Sequence, residues 1–388
     1  MQVVIDILEN ELIEKYPEVL GILLRDRTTQ KNIFWATDNY EHFGDSYRFN
    51  SEILAELITG EKGNVIMPRV HKDKILQLSR SKEMAEVFTP SWICNAQNNL
   101  VDNSWFGIEG VFNKEILLKN GTKTWETTKE KIVFPKGKTW QDYVRDTRLE
   151  ISCGEAPYLV SRYDTTTGKF IKIENRIGIL DRKLRVVNEN LNSINDWIES
   201  VEIAYKSTYG FEWQGDSLLL AREALLITFI ENFTHKFDTE PSLEAIQNIA
   251  NIISWNVWQM DGLKGIIPNS CRIEIIEISD FFETKTEVKK CKGCEIQNMN
   301  LHNGIYCNIM DWDEKNNLKV GDTYRPIEMR LNEWRKYFPN LEKKFGNVAK
   351  VDDETFFRDY AVHFFLENEL KRSRLKPNAL KGIPYYSN

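Results

Sequence analysis

The run RLEISCGEAPYL, residues 148–159, carries a β-like stretch that reaches an acid, Glu150. Cys153 and Gly154 follow, then a small residue, Ala156, then Tyr158 and Leu159. An acidic strand end leading through a tight small-residue turn into a helix is how nucleotide-type cofactors are gripped in doubly wound α/β folds. The backbone approaches closely, and amides at the helix start do the holding. Two further strand-like runs also end on an acid: WNVWQMDGL on Asp261 and NGIYCNIMDWD on Asp311. Ligands of open α/β sheets lie outside the carboxyl ends of the strands, so Glu150, Asp261 and Asp311 are expected to ring one crevice.

A second chemistry is written in CKGCEIQNMNLHNGIYC. Cys291 is followed after two residues by Cys294, after seven more by His302, and after four more by Cys307. Three thiolates and one imidazole make a closed tetrahedral set for a structural zinc ion, with Zn–S near ~2.3 Å. Gly293 and Gly304 permit the turns between ligands. Two other readings stay open: buried or free thiols with His302 at the surface, and Cys271 in place of His302. The crowding of Cys271, Cys291, Cys294 and Cys307, against the isolation of Cys94 and Cys153, points to metal before disulfide in a reducing compartment. His42, His71, His235 and His363 stand apart and read as packing or surface residues.

The elements that must position these groups follow from periodicity. IDILENELIEKYPEVLGILL is an amphipathic helix, NIFWATD a strand, and SEILAELITG a helix closed by Gly60. AEVFTPSWICNAQNN is an apolar run stopped by Thr89-Pro90, and residues 101–145 read as loops and short strands forming a lid or connection. RLEIS is a buried strand, GDSLLLAREALLITFIENF a helix, and residues 245–263 begin as a helix and become a strand. Beyond residue 320 the pattern is helical. The expected division is an α+β domain over 1–84, a central α/β domain over 85–330 with an inserted knuckle at 268–308, and a helical segment over 331–388.

Composition narrows the class. Across 388 residues, 41 % hydrophobic, 12 % aromatic and 28 % charged residues describe a well-packed chain rather than a disordered one. No long apolar run, signal peptide or lipidation motif occurs, which predicts a cytoplasmic protein without a membrane partner. At a net charge of −7 any contact with nucleic acid needs a local basic face. Arg69, His71, Lys72, Lys74, Arg80 and Lys82 offer one, and Lys371, Arg372, Arg374, Lys376 and Lys381 another; solvated helix faces are the plain alternative. Phosphate-binding Walker loops, G-x-S-x-G elbows and H-E-x-x-H pairs are absent from the sequence.

The same segments resemble a known family. AEVFTPSWICN is similar to the element of adenine amino-methyltransferases of bacterial restriction-modification systems in which an aromatic residue, Thr and Pro touch S-adenosylmethionine. The resemblance assigns Phe88, Thr89 and Pro90 to the cofactor. EISCGEAPYL resembles the family loop D-P-A-C-G-S-G-x-F-L: Glu150 takes the acid position, Cys153 and Gly154 match, Ala156 replaces the last glycine, and Tyr158 and Leu159 form the apolar end. By the same resemblance Asp261 would hold the ribose hydroxyls and Asp311 the adenine amine, with Asp181 (GILDRKL) and Asp216 (EWQGDSLLLAR) as competing placements. More closely, EVFTPSWICN, LDRKLRVVNEN, YGFEWQGDSLLLARE, ISWNVWQMDGLKG and HNGIYCNIMDW resemble a group of bacterial and phage proteins labelled as the M subunit of a restriction endonuclease. These segments span most of residues 85–313. The resemblance implies a doubly wound, Rossmann-like methyltransferase core that uses S-adenosylmethionine on adenine in DNA, in restriction-modification or phage defence, alongside a partner subunit.

Three departures limit what carries over. Amino-methylating enzymes have N/D-P-P-Y/F, which accepts from the target amine and stacks on the flipped base; the tetrapeptide occurs nowhere in this chain. The stretch LKVGDTYRPIEMRLNEW supplies only Asp322 as amine acceptor and Tyr324 as stacking ring, in a different arrangement. Glu155 and Pro157 stand where the family has small or neutral residues. A zinc-stapled, catalytically silent DNA- or partner-binding protein on the same fold is therefore the second expectation, and a different DNA modification the third.

Overall fold

The computed structural model describes residues 9–72, 74, 77, 80, 89–119, 121–279, 284–312 and 321–324. Phe88, Lys82 and the helices and basic residues expected beyond residue 325 lie outside the described residues. The chain divides into two compact units, residues 1–270 with 304–326, and residues 271–303 with 327–388. Among the described residues both contain helices and strands, and no helix is long and apolar enough to cross a membrane.

The first unit opens with two short helices, α1 (Glu9–Lys15) and α2 (Val19–Leu24), where one had been expected. Pro17 accounts for the break, since it lacks the amide a continuous helix requires. The run NIFWATD forms no strand. It makes single bridges, Arg25 to Asn32 and Phe34 to Glu52, because the Phe34 amide and carbonyl are taken by the side chain of Gln259. The expected helix before Gly60 is one turn, α3 (Ala55–Ile58). Thr89-Pro90 starts an element rather than stopping one: α4 (Ser91–Phe106) begins at the next residue and closes on Gly107, whose φ of 75° suits a helix C-cap.

A hairpin follows, β1 (Asn113–Leu117) with β2 (Lys123–Thr127), then α5 (Trp140–Arg145), started by a capping box between Thr139 and Asp142. The central sheet comprises β3 (Arg148–Glu150), β4 (Thr208–Glu212) and β5 (Val257–Gln259), parallel and in chain order. Helices α6 (Ile179–Asn190) and α7 (Ile194–Lys206) connect β3 to β4, and α8 (Gly215–Phe237) and α9 (Leu243–Asn256) connect β4 to β5. Every residue of β4 and β5 is buried, as expected of parallel strands covered by helices. One apolar cluster runs from Leu12, Val19 and Leu23 through Trp197 and Leu219 to Ile249 and Val257. Residues expected to form a separate N-terminal domain therefore share the core of the parallel sheet.

NGIYCNIMDW yields β8 (Ile309–Trp312), which does not join that sheet; it pairs antiparallel with β9 (Gly321–Tyr324). In the second unit β6 (Glu274–Ser279) and β7 (Thr284–Lys289) form a hairpin followed by the short α10 (Lys292–Ile296).

Helix α8 enters the core through its first turn. A Cβ on Gly215 would lie 2.1 Å from the Phe34 carbonyl oxygen, so only glycine fits. Asp216 is fully buried; its Oδ2 accepts from Tyr40 Oη at 2.7 Å and faces Arg80 Nη1 at 2.8 Å and Lys72 Nζ at 3.2 Å. Burial alone would raise this carboxyl, but the Arg80 and Lys72 cations hold it far below the ordinary range. Replacement Asp216→Ala strands two cations and is expected to cost roughly 3–5 kcal/mol in urea unfolding. Because the folded-state pKa is depressed, the stability Asp216 contributes is complete above ~4 and lost only as pH falls below that value; a pH series of melting temperatures checks the sign.

Candidate functional site

The turn after β3 is held in an unusual backbone conformation. Ser152, Gly154 and Ala156 take φ of 50°, 53° and 58°, and a left-handed residue other than glycine costs about 1–2 kcal/mol. Surrounding bonds impose it. Cys153 N donates to Phe211 O at 2.8 Å, Ala156 N to Cys153 O at 2.7 Å, and Gly154 N to Glu212 Oε2 at 2.8 Å. Glu150 accepts from Tyr158 N at 3.3 Å and Leu159 N at 3.1 Å. The Cys153 thiol is buried against Gly210 of β4. Burial pushes the Glu150 and Cys153 acids well up, and raises Glu212 despite its amide donors.

Sequence reasoning missed Glu212. It ends β4 in YGFEWQGD, so the signal that singled out Glu150 was present, but Asp216 four residues on was preferred. Glu155, where the family has a small or neutral residue, accepts from Arg69 N at 2.7 Å and Tyr163 Oη at 2.6 Å, fastening the loop to the basic segment.

The helix that Thr89-Pro90 starts reaches the same loop, with Asn98 Nδ2 donating to Tyr158 O at 3.0 Å. Thr89 O accepts from Thr165 Oγ1 at 3.2 Å and from Cys94 Sγ at 3.6 Å. Beside Pro90, Ser91 N donates to Asp164 Oδ2 at 2.8 Å. Burial would raise Asp164, yet donors from Thr166, Ser91 and Thr167 bring it down to about 2.

The other acids take different places. Asp261 accepts from Leu263 N and Lys264 N at 3.0 and 3.2 Å and pairs with Lys264 Nζ, which makes it the anchor of the turn after β5. Asp181 accepts from Ser161 and Gly178 at the start of α6, and Asp216 is the buried ion-pair centre described above. Asp311 does not join the ring expected at the carboxyl ends. In its hairpin, Met310 O accepts from Tyr209 near the start of β4, and Trp312 Nε1 donates to Asn256, the residue before β5. This is the amino end of the sheet, opposite Asp261. Asp322 faces Asp311 in the register and Tyr324 faces Ile309, so both belong to that hairpin. Across the carboxyl ends of β4 and β5 runs the 34–36 segment, with Gly215 N donating to Trp35 O and Trp213 Nε1 to Ala36 O. Ile151 at the end of β3 stays 65 % exposed. The expected basic face is also reduced, since Lys72 and Arg80 are buried against Asp216.

In the second unit Cys271, Cys291, Cys294 and His302 bring their ligand atoms within 4.8 Å of one another, and this cluster could hold a metal ion. The three sulfurs lie 3.5, 3.6 and 3.6 Å from His302 Nδ1. A tetrahedral ion with Zn–S of ~2.3 Å and Zn–N of ~2.0 Å sets S···N edges of roughly 3.6 Å. One ring nitrogen cannot satisfy three thiols by hydrogen bonding, whereas one cation satisfies all four groups. Asn303 N donates to Cys291 Sγ at 3.2 Å. Burial acts to raise Cys291, but this amide, the Cys294 amide and His302 bring it down to about 6, while burial and its neighbours push Cys271 up to about 12. Gly293 is required: a Cβ there would lie 2.7 Å from His302 Nδ1 and 2.6 Å from His302 N.

Cys307 is therefore not the fourth ligand. It is buried with Sγ donating to Gln259 O at 3.4 Å, in the unit of the parallel sheet. Cys271 takes its place because the β6–β7 hairpin, pairing Glu274 with Lys289, returns the chain so that Cys271 and Cys291 flank its base. Spacing within 291–307 alone could not reveal a ligand on the far side of a hairpin.

Cys271→Ser is expected to lower bound metal below about half an equivalent by elemental analysis, and Cys307→Ser to leave the wild-type content. Gly293→Ala should behave as Cys271→Ser does. The chain matches no model of a known protein family, no curated protein and no solved structure.

Proposed function

We propose that this chain is an S-adenosylmethionine-binding, methyltransferase-like protein with a Rossmann-like core, acting on adenine in DNA within a restriction-modification or phage-defence system, in the cytoplasm and beside a partner subunit. The observation that carries the reading is the strained 152–156 turn at the carboxyl end of β3, with the helix that Thr89-Pro90 starts tied just beyond it, where Asn98 Nδ2 donates to Tyr158 O at 3.0 Å. Strain held by many surrounding bonds is a mark of functional loops. Glu212 and Glu150 shape the loop by accepting its amides, and Asn98 joins it to the helix that follows Thr89-Pro90. When bound there, S-adenosylmethionine would supply an electrophilic methyl group, and the role of these residues is to bind and orient it. The four-residue metal cluster suits Zn²⁺ in a closed, structural role.

One observation favours a second reading, a catalytically silent binder of DNA or of a partner. The chain has no N/D-P-P-Y/F, and Asp322 and Tyr324 lie in the β8–β9 hairpin rather than beside the loop.

Titration calorimetry with S-adenosylmethionine on metal-loaded protein is expected to give saturable heat, weakened about tenfold or more in Glu212→Ala, where an amide of the loop loses its charged acceptor. Absence of heat in the wild type would sink the cofactor reading. Where heat is seen, transfer of tritiated methyl groups to unmodified bacterial DNA separates enzyme from silent binder.

A further inference from the structure

A groove of about 1380 Å³ runs along the first unit between the β1–β2 hairpin, the 164–176 loop and the flanks of α6 and α8. It shares no residue with the 152–159 loop. Its charges are unequal once internal pairs are removed. Asp164 accepts from the neutral donors Ser91, Thr166 and Thr167 and keeps its charge, Asp181 is buried with Oδ2 accepting from Ser161 and Gly178, and Glu189 pairs with Arg185. Arg176 is committed to Glu231. The ionic groups left on the walls are the exposed Lys123, Lys129, Lys169 and Lys172 and the half-buried Lys236, against Glu126, Glu174 and Asp164. On a chain of net charge −7 this is a local basic excess.

Aromatic rings interleave with these lysines. Trp92, Trp125 and Phe170 line the groove half-buried. Trp125 is oriented by its Nε1 donating to Asn175 O at 2.9 Å, and Lys123 Nζ lies 5.2 Å from the Trp92 ring centre. Phosphates seek the lysines, and exposed π-faces take unpaired bases by stacking, whereas a duplex presents only base edges.

We propose that this groove binds a single-stranded segment of DNA, its backbone along Lys123, Lys129, Lys169 and Lys172 and its bases against Trp125 and Phe170. The proposal deepens the DNA reading above and rests on it for the choice of polymer, but on none of the cofactor-loop residues. Trp92 follows Thr89-Pro90 and Ser91 directly, so one end of the groove adjoins the Thr-Pro element.

The test uses the full chain and a fluorescein-labelled oligothymidylate, with a duplex of equal length as competitor, followed by anisotropy over a salt series. Four phosphate contacts predict a slope of log K against log salt of roughly −3. Lys169→Glu with Lys172→Glu should weaken binding about tenfold or more and roughly halve that slope. Trp125→Ala should weaken binding, with Trp125→Phe recovering most of it. Lys62→Glu, on an exposed lysine outside the groove, should change nothing, and unaltered melting temperatures establish that the variants fold. No binding by the wild type at about 50 mM salt, equal binding by the double variant, or preference for the duplex each overturns the proposal. Heat with S-adenosylmethionine but no strand binding overturns the groove alone; strand binding without that heat overturns the cofactor reading and leaves the groove.

Discussion

Burial of the first turn of α8 is the constraint on which the first unit depends. Gly215 must lie against the Phe34 carbonyl, and Asp216 must enter a fully buried space, where Tyr40, Lys72 and Arg80 compensate its charge. A carboxylate without those partners would face a desolvation penalty of several kcal/mol. Groups distant in sequence, the 34–40 stretch, Lys72 with Arg80, and 215–216, are thereby drawn to one point. The same convergence lays residues 34–36 across the carboxyl ends of β4 and β5 and leaves the end of β3 to the strained turn.

Acids near the strand ends act mainly as acceptors for backbone amides. Glu150, Glu212, Asp181 and Asp261 each take two or more amides of a turn or helix start. Irregular backbone packed beside a buried parallel sheet has donors that no ladder satisfies, and a charged acceptor is the strongest remedy. The cost is a raised pKa where burial outweighs the donors, as at Glu150 and Glu212. What this achieves is a loop whose left-handed residues persist, so that any ligand meets a surface already formed.

The second unit solves a different problem. Among its described residues are two six-residue strands and a five-residue helix, too few to form a sizeable core by themselves. Four side chains gathered from both sides of the hairpin form a cluster that could hold a metal ion, and Gly293 leaves room for the imidazole.

The sequence by itself determined the strands and helices whose periodicity is strong: RLEIS, the long helix from Gly215, the helix-to-strand change near Asn256. It also determined that Cys291, Cys294 and His302 belong together, because their separation is short enough for local turns to close. Tertiary structure decided the rest. Whether a strand-end acid faces a crevice or its own turn depends on which amides lie beside it, so Asp261 and Asp216 read alike in sequence and serve different ends. Strand partnership decided that Asp311 lies at the amino end of the sheet, since a run of alternating residues carries no record of the strand it will pair with. Hairpin closure decided that Cys271 and not Cys307 joins the cluster that could hold a metal ion, because distance through space between two residues is set by the fold of everything between them.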